Sequence, residues 1–312
     1  MSNILAVFGA TGTQGGSVIN NVLSDPELSN KYKPRAITRD ANSAKAKALE
    51  QRQVEVVTGD ASDRTSVERA LAGANFVFIM STPSWGPDAM EAEFNTIKSI
   101  ADIAVEKGLD YIIFSTLPSC YDMSHGKYTA VTAFDAKAKG EKYIKTLPIK
   151  SAFLCAGFFM ENFVTQPFLG PIPNGDGTYT LARNAPSTLK LPYVDATDDV
   201  GKFVNAILAE PDKYAGQTFY AAAGFYSLAE IATLLGKSSG KTITFKQVSD
   251  DEFRSSLPFM GDLFAQGFAC QAEYGYFGPG GEEKVDWATQ NIRGKLTTLP
   301  EYLEKHPFSL ET

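Results

Sequence analysis

The stretch that most constrains the fold lies at the start of the chain, where an apolar run, Ile4-Leu5-Ala6-Val7-Phe8, ends at Gly9-Ala10-Thr11-Gly12-Thr13-Gln14-Gly15-Gly16. Three glycines spaced G-x-x-G-x-x-G follow a strand of buried type. They precede Ser17-Val18-Ile19-Asn20-Asn21-Val22-Leu23, whose apolar positions recur as in a helix with one face returned to a sheet. A strand, a glycine turn and a helix in that order make a phosphate seat. Gly9 permits the tight bend, Gly12 lets backbone approach a pyrophosphate, and Gly15 lets helix and strand pack closely. The free N–H groups and the dipole at the helix start attract the anion. Thr11, Thr13 and Gln14 add side-chain donors. A glycine triplet by itself is also consistent with a plain tight turn, so the context decides.

That context is a ladder of alternating elements. Residues 34–38, 54–58, 74–80, 111–116 and 151–155 read as strands, and 41–52, 63–71, 91–107 and 133–147 read as the helices between them. Alternation of this kind predicts an α/β fold, a Rossmann-type doubly wound parallel sheet with a smaller C-terminal α/β lobe. The expected division is a dinucleotide-binding domain over residues 1–155, also receiving segments around 194–222, and a substrate or partner lobe over 156–312. Beyond residue 164, Pro167, Pro171 and Pro173 break the pattern, and 179–181 with 188–191 read as a small hairpin. Asp195 to Asp198 is expected to open a helix running to Leu208, and 217–222 a further strand. Ser227 to Glu230 is a capping box for a helix ending at Gly236. Residues 243–248 read as one more strand, and Thr298 opens the last helix. Residues 259–281, rich in glycine and aromatic side chains, fit a lid over the cleft, a protein-binding face, or a loop packed on the small lobe.

Composition narrows the function. A net charge of −7 argues against a surface built for direct contact with nucleic acid, which rests on clustered Lys and Arg. Cys120, Cys155 and Cys270 include no C-x-x-C pair and leave one thiol unpaired whatever happens, which points to a reducing compartment. Cys155 reads as core, whereas Cys120, in a loop after a strand, reads as exposable. With no basic leader, no apolar signal core and no apolar run of about 18 residues, the expectation is a cytoplasmic or nuclear protein without a membrane span. Only His125 and His306 are present, so no histidine-centred triad and no metal site is expected.

The strand ends nominate further site residues. In dinucleotide folds an acid at the end of the second strand holds the ribose 2′-OH, and an arginine there accommodates a 2′-phosphate. Here Thr38 stands in the acidic position and Arg39 follows, which favours NADP(H) over NAD(H); a solvated arginine, with Asp40 as ribose acceptor, is the alternative. Asp60, after the third strand, lies within reach of an adenine amino group or caps the next turn. Ser81 and Thr82, after the fourth, are candidate contacts to the central ribose, and Trp85 a candidate pocket wall. Lys137 falls in the first turns of the helix at 133–147. A short-chain dehydrogenase needs a Tyr four residues before such a Lys, because the cation lowers the phenol's pKa for proton transfer. Ala133 occupies that place, and none of the thirteen tyrosines has Lys four residues on. Gly157, Phe158 and Asn162, after the sixth strand, are expected to line the nicotinamide end.

With GATGTQGG, the TRD after the second strand, the FDAK helix start and GFFMENF, the chain resembles the NmrA-like family of atypical short-chain dehydrogenases over most of its length. The resemblance implies an extended Rossmann domain with a small C-terminal lobe and NADP bound across the strand edge. Carried over by position, Gly9, Thr11, Gly12, Thr13 and Gly15 would meet the pyrophosphate and Arg39 the 2′-phosphate. Asp60 and Ala61 would meet the adenine, and Lys137 the nicotinamide ribose. Two functions follow from it. One is a non-catalytic redox sensor and transcriptional regulator acting through a protein partner, a transcription factor or an enzyme, which the missing Tyr supports. The other is an NADPH-dependent reductase of the isoflavone-reductase-like type using Lys137 as acid or base, with Tyr121, Tyr128 or His125 folding back as a donor.

Overall fold

Leu5 and Val7 belong to one apolar layer and Ala6 and Phe8 to the other, all buried, as a strand covered by helices on both faces requires. The computed structural model describes residues 2–84 and 86–310; Trp85, the expected pocket wall, lies outside them. Strands β1 (Asn3–Phe8), β2 (Tyr32–Thr38), β3 (Glu55–Thr58), β4 (Phe76–Ile79), β5 (Tyr111–Thr116) and β6 (Lys150–Ala156) are joined by β7 (Thr218–Ala221) in one sheet. Its order is β7-β6-β5-β4-β1-β2-β3, and every neighbouring pair runs parallel. The order reverses between β1 and β4, and a crevice at the carboxyl ends of the strands follows from that reversal.

Helices α1 (Thr13–Ser24), α2 (Ala44–Gln51), α3 (Arg64–Leu71), α4 (Ala89–Glu106), α5 (Thr132–Ile144) and α6 (Val200–Ala209) cover the sheet. The layer of Leu5 and Val7 takes Val18, Ile19 and Val22 of α1 and Phe203, Val204 and Ile207 of α6. The opposite layer takes Val67 and Leu71 of α3, Ile97 and Ile100 of α4 and Ile144 of α5. The backbone N–H of Gly201 donates to Ser17 Oγ at 2.9 Å, which fixes α6 against α1.

Two helix starts differ most from the sequence expectation. The first helix begins at Thr13, not Ser17, so Gln14, Gly15 and Gly16 form its first turn. Glycine's low helix propensity hides this start, because the turn is selected for backbone approach and not for propensity. In the other case α6 begins at Val200, not Asp195: the N–H of Asp198 donates to Asp195 Oδ1 at 2.9 Å. That local side-chain bond holds the backbone in a turn before the helix can form.

In the C-terminal part the expected hairpin of 179–181 with 188–191 is absent. Tyr179–Arg183 pairs with Ile243–Gln247 in parallel and with Ile172–Pro173 antiparallel. Lys190–Val194 pairs with Gly224–Ser227 antiparallel and with Phe158–Phe159 in parallel, in a separate sheet. Asn184, just past the first of these strands, donates from Nδ2 to Asp250 Oδ1 and to the Ala265 carbonyl, both at 2.8 Å. Those distant acceptors direct the chain away from a tight turn.

Helix α7 (Leu228–Ser239) opens on the Ser227–Glu230 capping box and runs past Gly236 to Gly240, which takes a left-handed conformation. The 259–281 region is mainly a helix, α8 (Gly261–Tyr274), followed by the buried Tyr276 and Phe277. Then α9 (Gly281–Gln290) returns to the main sheet, its Trp287 packing on Phe219 of β7 with ring centroids 5.0 Å apart. The last helix, α10 (Leu299–Lys305), carries the capping box of Thr298 and Glu301. Cys120 is buried beside Cys270, correcting its expected exposure. Among the described residues no helix is long and apolar enough to cross a membrane, and no cluster of His, Cys, Asp and Glu suits a metal ion.

Candidate cofactor and substrate site

Gly9 has φ +66°, so the chain leaves β1 through a left-handed bend that a side chain would strain. A Cβ on Gly15 would lie 2.4 Å from the Gly9 carbonyl oxygen, so helix and turn meet at a distance only glycine allows. Gly12 caps α1 without contributing a side-chain hydrogen bond, and the first turn carries no acid. The opening N–H groups of a twelve-residue helix are thus left to an external acceptor. Thr11 and Thr13 flank this seat. Thr11 Oγ1 lies 3.5 Å from Thr38 Oγ1, tying the turn to the end of β2. This cradle fits a pyrophosphate.

At the end of β2, Thr38 is buried and Arg39 exposed, with no acid on the last strand residue. Asp60 Oδ1 accepts from the N–H of Ser62 at 2.9 Å and from its hydroxyl at 2.7 Å. These bonds, with the charge of Arg39 nearby, hold the Asp60 carboxyl below the usual range. Asp60 therefore shapes the turn after β3, and Ala61 beside it packs its methyl on the sheet's apolar layer. Arg39, Asp60 and Ala61 come together at one corner of the strand edge.

At the other end, Lys137 lies in the second turn of α5 and is buried. Its Nζ donates to Glu93 Oε1 from α4, and Ser81 Oγ donates to the same oxygen at 2.6 Å. Glu93 is a site residue that the sequence reading missed. A carboxylate four residues before Ile97, on the apolar stripe of α4, is the signal that marks it. Ser81 thereby supports the ion pair, its hydroxyl hydrogen committed to Glu93. Gln14 Oε1 accepts from Ser115 Oγ at 2.7 Å, linking the phosphate helix to β5.

A cleft of about 330 Å³ opens above these groups. Its lining includes Gln14, Ser81, Thr82 and Lys137 together with Gly157, Phe158, Asn162, Gln166, Phe264 and Tyr276. Phe264 and Tyr276 come from the 259–281 region, so that stretch walls the cleft. The Tyr276 hydroxyl donates to the Ala156 carbonyl at 3.1 Å. The three side chains expected to fold back as donors do not line this cleft. Tyr128 donates to Glu273 Oε1 at 2.7 Å, and Tyr121 and His125 are exposed.

The NmrA-like family model matches residues 1–303. The chain belongs to the NmrA-like family. An NmrA-like oxidoreductase of Aspergillus campestris is 29% identical over 87% of this chain and 84% of its own length. Two solved structures share the fold. NmrA, a negative transcriptional regulator solved with NADP, superposes with TM-score 0.73 at 21% identity over 98% of this chain and 97% of its own. The triphenylmethane reductase of Citrobacter sp., complexed with NADP(H), gives TM-score 0.75 at 21% identity over 98% and 99%. NmrA has also been solved with NAD.

Proposed function

We propose that this NmrA-like chain is an NADP(H)-dependent reductase of conjugated, largely apolar acceptors. The observation that carries the reading is the cleft of about 330 Å³, lined by Leu117, Phe134, Phe158, Phe159 and Phe264 together with Lys137, beside the strand edge where the dinucleotide's reactive end would lie. A bound nicotinamide supplies the hydride. The chain's own residues do the rest: the start of α1 holds the pyrophosphate, Arg39 meets the 2′-phosphate and selects NADP over NAD, and Phe158 and Phe264 exclude water. Lys137, oriented by Glu93, presents its charge to the ribose and the acceptor. Tyr276 is the one tyrosine on the cleft wall among the described residues, and its hydroxyl is committed to the Ala156 carbonyl. Such a site suits acceptors that need no side-chain proton as hydride arrives: quinones, whose hydroquinone anion takes its proton from water afterwards, and cationic conjugated systems, which the hydride neutralises. Plain ketones, whose oxygen needs a proton as hydride arrives, suit it poorly. The Aspergillus campestris oxidoreductase supports the reductase reading, and the triphenylmethane reductase that shares the fold supports a cationic conjugated acceptor.

A second reading, a non-catalytic NADP sensor acting through a protein partner, is favoured by the ion pair that occupies Lys137 and by the likeness to NmrA. The three free, buried cysteines are compatible with a cytosolic or nuclear setting for either reading. Incubation with NADPH and menadione, cinnamaldehyde or a cationic triphenylmethane dye separates the two. The reductase reading expects NADPH oxidation that Lys137→Ala abolishes. Calorimetric NADP binding without turnover of any acceptor overturns it in favour of the sensor.

A further inference from the structure

Arg183, at the end of the strand Tyr179–Arg183, is 8% exposed, yet none of the described carboxylates forms an ion pair with it. Its Nη1 donates to the Ala182 carbonyl at 2.6 Å and its Nη2 to the Leu169 carbonyl, while its Nε has no partner. The guanidinium lies over the rings of Phe253 and Phe268, at 5.6 and 5.2 Å from their centroids. Burial without a counter-charge pushes its pKa down to about 10. Two carbonyls and two rings offset only part of the cost of withdrawing a full charge from water, so the fold carries an uncompensated buried cation.

That cation forms part of the wall of a second cavity, in the small lobe, whose volume is about 40 Å³. The space is close to that of one or two waters, enough for a carboxylate on a short arm and too small for a ring. Phe158, Asn162 and Gln166 line both this cavity and the larger cleft that Lys137 lines, so the two spaces adjoin at these three side chains. Asn162 and Gln166 are the polar members of the three, and Leu181 and Leu191 make the small cavity otherwise apolar.

We propose that Arg183 is a specificity-determining residue that binds the carboxylate of the substrate, a conjugated ring system carrying a short acidic arm. The ring system occupies the larger cleft, and the arm passes Phe158 and Asn162 to reach the guanidinium. A planar guanidinium suits a planar carboxylate, and in this apolar setting the pairing is stronger than in water. The proposal rests on the reductase reading, because it assigns the remote end of the molecule whose conjugated end is reduced.

The test is equilibrium binding, followed by naphthalene fluorescence, of 1-naphthylacetate and its neutral isostere 1-naphthylacetamide, with and without NADP. The acid is expected to bind at least about tenfold more tightly than the amide to the native protein. Arg183→Met should erase the preference, and Arg183→Lys should keep part of it. Equal binding of acid and amide, no binding of either, or a preference that survives in Arg183→Met overturns the proposal. The comparison of acid with amide on native protein needs no variant, so it decides even if the substitutions fail to fold. Because binding is read without turnover, acid-selective binding with no NADPH oxidation would fail the reductase reading while leaving the carboxylate site standing.

Discussion

Glu93 of α4 and Lys137 of α5 form an ion pair in which both side chains are buried, at 1% and 9% exposure, and Ser81 donates to the same carboxylate oxygen. The pair ties the two helices together on one face of the sheet and sets the position of the ammonium at the floor of the cleft. Removing one member strands the other charge away from water. Glu93→Leu is expected to lower stability by about 3–5 kcal/mol, whereas Glu93→Leu with Lys137→Met should recover most of that loss. Urea unfolding of the single and double variants measures both. Additive losses in the double variant would mean that the two charges do not depend on each other.

The phosphate seat rests on Gly15. A methyl there would lie 2.4 Å from the Gly9 carbonyl oxygen, and the backbone on both sides is fixed by β1 and α1. Gly15→Ala should cost about 1–3 kcal/mol of stability as the turn is forced apart. It should also reduce NADP binding to the limit of calorimetric detection. A folded variant with native affinity would remove the seat from the cofactor site.

Arg39 is exposed at the end of β2, where Thr38 offers no carboxylate. A charge-assisted bond to a 2′-phosphate contributes roughly 1.5–3 kcal/mol, so Arg39→Ala should weaken NADP binding by about tenfold or more and leave NAD binding nearly unchanged. Titration of the native and variant proteins with each dinucleotide gives the ratio. Parallel losses for both would assign Arg39 a role unrelated to the 2′-phosphate.

Asp195 is 2% exposed and faces Asp198, Glu161 and Asp199. Burial first, then these like charges, raise its pKa from 3.8 to about 6. The unfolded chain releases this proton near 3.8 and the folded chain holds it to about 6, so the folded state binds more protons between those values. Stability contributed by the protonated carboxyl is complete below the lower value and is lost as pH rises through the higher one. Asp195→Asn keeps an oxygen for the Asp198 N–H and removes the charge. It should raise stability by about 1–3 kcal/mol at pH 8 and have little effect at pH 3.5. Thermal melts at the two pH values test the sign. A variant less stable than the native protein at pH 8 would show that the ionised carboxylate is needed.

Much of this protein is decided by local pattern. The apolar runs that become β1, β4, β5 and β6, the glycine turn before α1, the capping boxes at Ser227 and Thr298, and the missing Tyr before Lys137 are each written within a few consecutive residues. Strand periodicity, cap chemistry and steric tolerance act over that range, so the parallel sheet and the phosphate seat were legible from the chain alone. The partners that complete the site were not. Glu93 reaches Lys137 across 44 positions, and Phe264 and Tyr276 join the cleft from a stretch that fits a lid, a protein-binding face or a packed loop equally well. Arg183 lacks a counter-charge only because of where its strand packs. A buried charge and a solvated one are the same letter in a sequence; which of them a residue becomes depends on what the fold brings against it, and only the tertiary structure decides that.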